Sequence, residues 1–271
     1  MNNKIRIILG YTILLIESII LFLLGTFILV NNTILNKKYI IKTMDKIDYY
    51  EKIFDSIKVE MSYYTGQSGF EDNILDDTFT VDDVKTNINT YITNFYNGKK
   101  TEIDTTSFEE KLNKKIDNVL TDKNFTIANR KDIDKFVSEM SKIYKTKIKI
   151  INRLDNYANK LNKVIDYSKK ITTILTILLI LLYLTNVIIF KRSNISTILY
   201  TVAFLIIASN IYIRSRIDIK HLLIYNDSLT SLVKAIINNL LNYSIYAIII
   251  YFILGIIINI IFTKNKEKIK N

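Results

Sequence analysis

Apolar residues recur every three or four positions through Ile133, Phe136, Met140, Ile143, Ile148, Ile151, Leu154, Tyr157, Leu161 and Val164. That spacing lays one stripe along a helix. At Ile171 the stripe widens to the whole circumference, and ITTILTILLILLYLTNVIIF runs to Phe190 without a charge. Neither Pro nor Gly interrupts the change. The pattern predicts a single helix from about Asn129 to Phe190, roughly 90 Å long at about 1.5 Å per residue. Its last third is apolar enough to cross a bilayer, and the rest is amphipathic.

Three further stretches have the length and apolarity of membrane spans. They are Ile7–Val30, Ile195–Ile213 and about Tyr243–Phe262. The first is read as an uncleaved anchor, because its apolar run is long, holds Glu17 and lacks an A-x-A arrangement of small residues. Between the first two spans the pattern is helical again. Ile40, Met44, Ile47, Phe54, Ile57, Met61 and Tyr64 predict a second long amphipathic helix, about Asn36–Tyr64, stopped by Thr65–Gly69, where Gly66 and Gly69 permit turn geometry. FEDNILDD reads as a short helix and an acidic turn. Thr80 is placed to cap a helix to about Tyr96, closed by Gly98. Thr106 with Glu109 has the capping-box spacing for a helix to about Leu120. Phe125 and Ile127 suggest a short extended piece.

The expected fold class is an all-α membrane protein. Four transmembrane helices carry an extracytoplasmic helical stalk, or coiled-coil domain, inserted between the first and second. The divisions are 1–30 (basic tail and first span), 31–170 (external helical domain), 171–213 (a hairpin of two spans), 214–242 (external amphipathic loop) and 243–271 (fourth span and basic tail). The two long amphipathic helices would pair antiparallel, with the two shorter ones covering them. Asn226 or Ser228 can cap a helix before the fourth span, either interfacial or an extension of that span.

Charge then sets an orientation. The chain has 271 residues and a formal net charge of +11, which by itself would suggest nucleic acid. The dense positive charge, however, lies in short pieces flanking the spans: Lys4 and Arg6, Lys191 and Arg192, and Lys264, Lys266, Lys268 and Lys270 with the single acid Glu267. The positive-inside rule puts these in the cytoplasm, and residues 31–170 and 214–242 outside. The expected location is the plasma membrane, with both termini cytoplasmic. The partners expected are the lipid bilayer and a membrane or envelope protein or a second copy, not nucleic acid. Cys is absent, which rules out disulfides and thiolate metal sites. Trp is also absent, so Tyr11, Tyr200, Tyr212, Tyr225, Tyr243 and Tyr246 must supply any interfacial belt.

Glu17 is the most informative single residue, because a carboxyl within a span is costly and is specifically paired or functional. Gly10 precedes it by one heptad, and Tyr11, Ser18 and Gly25 form an adjacent heptad-spaced stripe. Such small and polar faces suit helix contacts. No Lys, Arg or His lies in the other spans to pair with Glu17. The expectation is a protonated carboxyl hydrogen-bonded to Asn186, Thr201 or Tyr183. The alternatives are contact with a partner's cation, or an ion pathway. Ser18, Asn186, Asn210 and Asn259 are the other intramembrane polar candidates, read as structural hydrogen bonders. His221 is the only histidine and is read as exposed. Asp76/Asp77 and Asp82/Asp83 lack the EF-hand spacing, and N-cap use is the simpler reading. There is no P-loop, GxSxG or HExxH. No catalytic residue, metal site or cofactor is expected, and the protein is read as non-enzymatic.

The run DKIDYYEKIFDSIKVEM…YTGQSGF…VKTNINTYITNFYNG…IDT…LNKKIDNVL…IDKFVSEMSKIYK resembles a group of uncharacterised integral membrane proteins of low-GC Gram-positive bacteria. That resemblance brings no activity with it. The order of one span, an external domain and three spans is also similar in outline to the FtsX-like permease subunits of envelope ABC systems. Those carry a sizeable cytoplasmic segment between spans two and three, where this chain has only Lys191–Asn194. Function is therefore expected to be that of an envelope scaffold, sensor or assembly factor. The alternative is a transport component, a permease or channel subunit using the intramembrane polar residues.

Overall fold

The computed structural model describes residues 3–122, 130–149, 154–190, 194–224 and 226–270. Among them there are nine α-helices and no strand: α1 (Asn3–Asn32), α2 (Lys37–Lys46), α3 (Tyr49–Ser68), α4 (Val81–Tyr96), α5 (Thr106–Asp122), α6 (Arg130–Ile148), α7 (Ala158–Phe190), α8 (Ile195–Arg216) and α9 (Asp227–Lys270). Four of these, α1, α7, α8 and α9, hold stretches long and apolar enough to cross a membrane. The chain divides into two compact units, one of residues 1–36, 165–224 and 233–271, the other of residues 37–164 and 225–232.

In the second unit α3 packs against α6, α4 and α2, and α5 packs on α6. The amphipathic stripes supply its core: Met44, Ile57, Met61, Val84, Ile88, Leu112, Ile116, Met140 and Ile148 are fully buried. Aromatic rings bind the elements together. Phe79 lies 5.1 Å from Phe54, 5.7 Å from Phe108 and 5.6 Å from Tyr144, and Phe108 stacks on Tyr144 at 5.4 Å. Pairs of this kind add about 0.5–1.5 kcal/mol each beyond their buried area. The α3 and α6 stripes run antiparallel, since Phe70 meets Phe136 at 5.1 Å and Glu60 meets Lys147 at 2.6 Å. Because α4 and α5 also cover them, the result is a helical bundle and not a two-stranded rod.

Both long helices expected from the pattern are broken. The helix over 36–64 divides into α2 and α3 at Asp48, which adopts the left-handed conformation at φ 52°. Turning there lets α2 fold back to contact both α3 and α4. α3 also runs past Tyr64, through Gly66, to a left-handed stop at Gly69, φ 77°. The helix over 129–190 is likewise two, because α6 ends at Ile148 and a 3-10 turn at Leu154–Tyr157 precedes α7. The start of α7 packs instead on the turn closing α4. A Cβ on Gly98 would meet Asn159 Oδ1 at 3.2 Å and Asn162 Cβ at 3.3 Å, and Gly98 has φ 74°. Helix propensity is a weak preference that tertiary contacts override. Ile151, Phe125 and Ile127 lie outside the described residues.

Capping is partly as the spacing predicts. Thr80 and Asp83 form a reciprocal capping box at α4. At α5 the roles shift by one residue. Thr105, not Thr106, donates to Glu109 Oε1 at 2.6 Å, while Asp104 Oδ1 accepts the Thr106 backbone N–H at 2.9 Å and its hydroxyl at 2.7 Å. Asn226 Oδ1 accepts from the Leu229 N–H at 2.7 Å. α9 is continuous from Asp227 to Lys270, so residues 227–242 extend the fourth apolar helix.

Burial raises the phenols of Tyr49, Tyr50 and Tyr144, the last from an ordinary 10.0 to about 12. The folded state thus holds these protons more tightly than the unfolded state. The stability that Tyr144 contributes in this way is fully present below pH 10 and is lost as pH rises through about 12. Tyrosinate absorbance should therefore rise together with loss of far-ultraviolet helix signal in that window. Tyrosine ionisation that went to completion with the helix signal intact would contradict the burial.

Candidate functional site

Glu17 is fully buried on α1, and its Oε2 accepts a hydrogen bond from Asn186 Nδ2 on α7 at 2.5 Å. Asn186 is itself buried. On the same two helices Asn31 Nδ2 donates to Thr172 Oγ1 at 3.0 Å. Each step along α1 from Glu17 to Asn31 is matched in reverse along α7 from Asn186 to Thr172. The helices are therefore antiparallel, with two polar rungs about 21 Å apart. Of the three partners the sequence allows for Glu17, the structure selects Asn186. Thr201 donates instead to Thr197 O at 2.9 Å within its own helix. Glu17 Oε1 and Asn186 Oδ1 are buried without a hydrogen-bond partner.

The other intramembrane candidates divide. Ser18 is buried and its hydroxyl returns to Leu14 O at 2.8 Å. Asn210 on α8 donates to Ile206 O at 3.1 Å and accepts from Ser244 Oγ on α9 at 2.9 Å. Asn259 is exposed on α9 and belongs to neither interhelical pair. Ser244 is a partner that sequence reasoning missed. A lone Ser in an apolar run gives no sign of which helix it faces. Packing agrees with these bonds: Leu14, Ile198 and Val202 form one cluster with Leu21, Phe22, Ile206 and Tyr251 around it.

A second site lies in the other unit. A cleft of about 930 Å³ opens between α5, α6 and the segment at Glu102–Ile103. Ser141 lines it at 4% exposure, and its Oγ has no partner. Asn113 faces the same space. Its Nδ2 donates to Glu109 O at 2.9 Å, and its Oδ1 is buried and unpartnered. Lys142 and Lys145 on α6 and Lys149 just beyond it line the cleft, with Glu102 and Glu109 lining it as well. Thr106 bonds hold the Asp104 carboxyl below its ordinary range, helped by Lys145. The available signal was Val137–Ser141–Lys145 at i, i+4, i+8, one step beside the apolar stripe.

The remaining charged features are simpler. His221 is exposed, and its Nδ1 lies 2.7 Å from Asp218 Oδ2. That contact, the first of several, lowers the Asp218 carboxyl from its ordinary range. Among the described residues no group of three or more His, Cys, Asp or Glu is arranged to hold a metal ion. Comparison with known proteins adds no relative: no family model, curated protein or solved structure matches the chain.

The Glu17–Asn186 bond gives a direct test. Asn186→Leu leaves a buried carboxyl without its donor and should lower stability in detergent by about 1 kcal/mol or more. Glu17→Gln keeps a hydrogen-bonding group and should cost less. A double-mutant cycle of thermal or denaturant unfolding reads the coupling, and additivity of the two changes would mean that the bond does not form.

Proposed function

We propose that the chain is a four-pass plasma membrane protein that acts through its helical domain as a non-enzymatic scaffold, sensor or assembly factor of the cell envelope. The carrying observation is the polar cleft of that domain, where buried Ser141 and Asn113 atoms stand without partners. Buried polar atoms ordinarily find partners, and a pocket of this size with a few convergent polar groups is the ordinary form of a binding site. In the apolar helices, by contrast, the interhelical polar contacts of Glu17, Asn31 and Asn210 are used to hold helix to helix. The basic flanks support an orientation with both termini in the cytoplasm and residues 31–170 outside.

A transport component is the second reading. One observation favours it: Glu17 Oε1 and Asn186 Oδ1 are buried together and unpartnered, an arrangement that one proton or one small cation would satisfy.

Three measurements test orientation and separate these readings. Protease added to intact protoplasts should cleave within residues 31–170 and spare the lysine-rich C-terminus; the opposite pattern would refute the orientation. Full-length protein purified from membranes should carry a stoichiometric membrane or envelope partner, and Ser138→Trp, at an exposed position lining the cleft, should release it without lowering the melting temperature. Purified protein in liposomes should conduct no ions. Flux that Glu17→Gln abolishes would favour the transport reading instead.

A further inference from the structure

A second cavity, of about 980 Å³, lies wholly within the first unit, between α1, α8 and α9. Its walls run from Phe22 to Asn32 on α1, from Val202 to Ile213 on α8 and from Leu240 to Tyr251 on α9. Each of these stretches rises about 15 Å, which is half of a hydrocarbon core of about 30 Å. The cavity is therefore one leaflet deep. Gly25, Ala208, Ser209 and Ala247 keep it open, because their side chains are too small to fill it. Phe22, Val202, Ile206 and Tyr251, packed on the Leu14–Ile198 cluster, line its inner end.

Its other end is polar, and a cation stands beside it. Tyr212 and Tyr243 line the cavity there, as ring systems do at the level of lipid headgroups. The Arg216 guanidinium lies over the Tyr212 ring at 5.7 Å, within cation–π range. Arg214 is also in the last turn of α8. Nearby Asp218 is engaged by His221 at 2.7 Å.

We propose that this cavity is a binding site for an anionic phospholipid. One acyl chain fills the space between the three helices, and the phosphate sits at Arg216 and Arg214. The proposal rests on reading α1, α8 and α9 as membrane spans, since lipid is then the medium that meets the cavity. Chain burial supplies affinity by removing apolar surface from alternatives that pack less well. The arginines supply the preference for negative charge.

The test uses full-length protein in mild detergent, titrated with phosphatidylglycerol or phosphatidylcholine of matched chains and read by native mass spectrometry. Phosphatidylglycerol should bind about tenfold more tightly, and Arg216→Gln should reduce that preference to about threefold or less. Ala247→Phe, which fills the cavity, should lose both lipids while keeping the helix signal and melting temperature. Equal binding of the two lipids by the native chain would overturn the headgroup assignment. Retention of lipid by Ala247→Phe would overturn the cavity. A native dimer that Ala247→Phe converts to monomer, with lipid binding unchanged, would show that a second copy fills the space instead. If Ala247→Phe does not fold, the Arg216→Gln preference still decides. Because the readout is lipid binding, a negative result leaves the orientation tested by protease unaffected.

Discussion

A polar group inside an apolar helix bundle must find its partner within the protein, and that constraint organises the first unit. Glu17 is the most demanding such group, and the structure buries it completely against Asn186. Once that bond and the Asn31–Thr172 bond are both made, α1 and α7 have only one register available. A slide by one residue would break two hydrogen bonds together. The Asn210–Ser244 bond sets α8 against α9 in the same manner. Apolar packing between such helices is nearly isotropic, so the few polar pairs carry much of the specificity.

The second unit is governed by a different balance. Its helices are amphipathic and none is apolar enough to be stable by itself, so burial of the stripes sets where each begins and ends. The cluster of Phe54, Phe79, Phe108 and Tyr144 joins α3, α5 and α6 through the segment before α4. Optimising that core leaves α5 and α6 imperfectly closed beside it, and the polar cleft around Ser141 is the result. Thr101 Oγ1 is also buried without a partner elsewhere in the domain, but among the described residues only at the cleft do two such residues, Ser141 and Asn113, line one open space. Such departures concentrate where a protein meets something else.

The two cavities suit different chemistry. One is polar, carries charges of both signs and belongs to the amphipathic domain. The other is mainly apolar, with Asn32, Asn210, Tyr212, Tyr243 and Ser244 among its lining residues, and Arg216 lies over Tyr212 beside it. Neither uses the single histidine, and His221 is held by Asp218 at an exposed position. Binding, rather than bond-making chemistry, is the common theme of the sites proposed above.

The four helices apolar and long enough to cross a membrane, the helical class of the described residues and the caps at Thr80 and Gly98 were legible in the residues alone. Each depends on local composition or on spacing within one helix. Asn186 could be named among three partners for Glu17, because very few polar groups are available inside the spans. Where the long stripes would break was not legible. The breaks at Asp48 and after Ile148 carry no Pro or Gly, and the contacts that go with them, such as the Gly98 turn against Asn159 and Asn162, join residues far apart in the chain. Both cavities also escaped, since a cavity is the space left by residues far apart in the chain. Periodicity reports which face of a helix is buried; only the packed structure decides against what, and where the packing falls short.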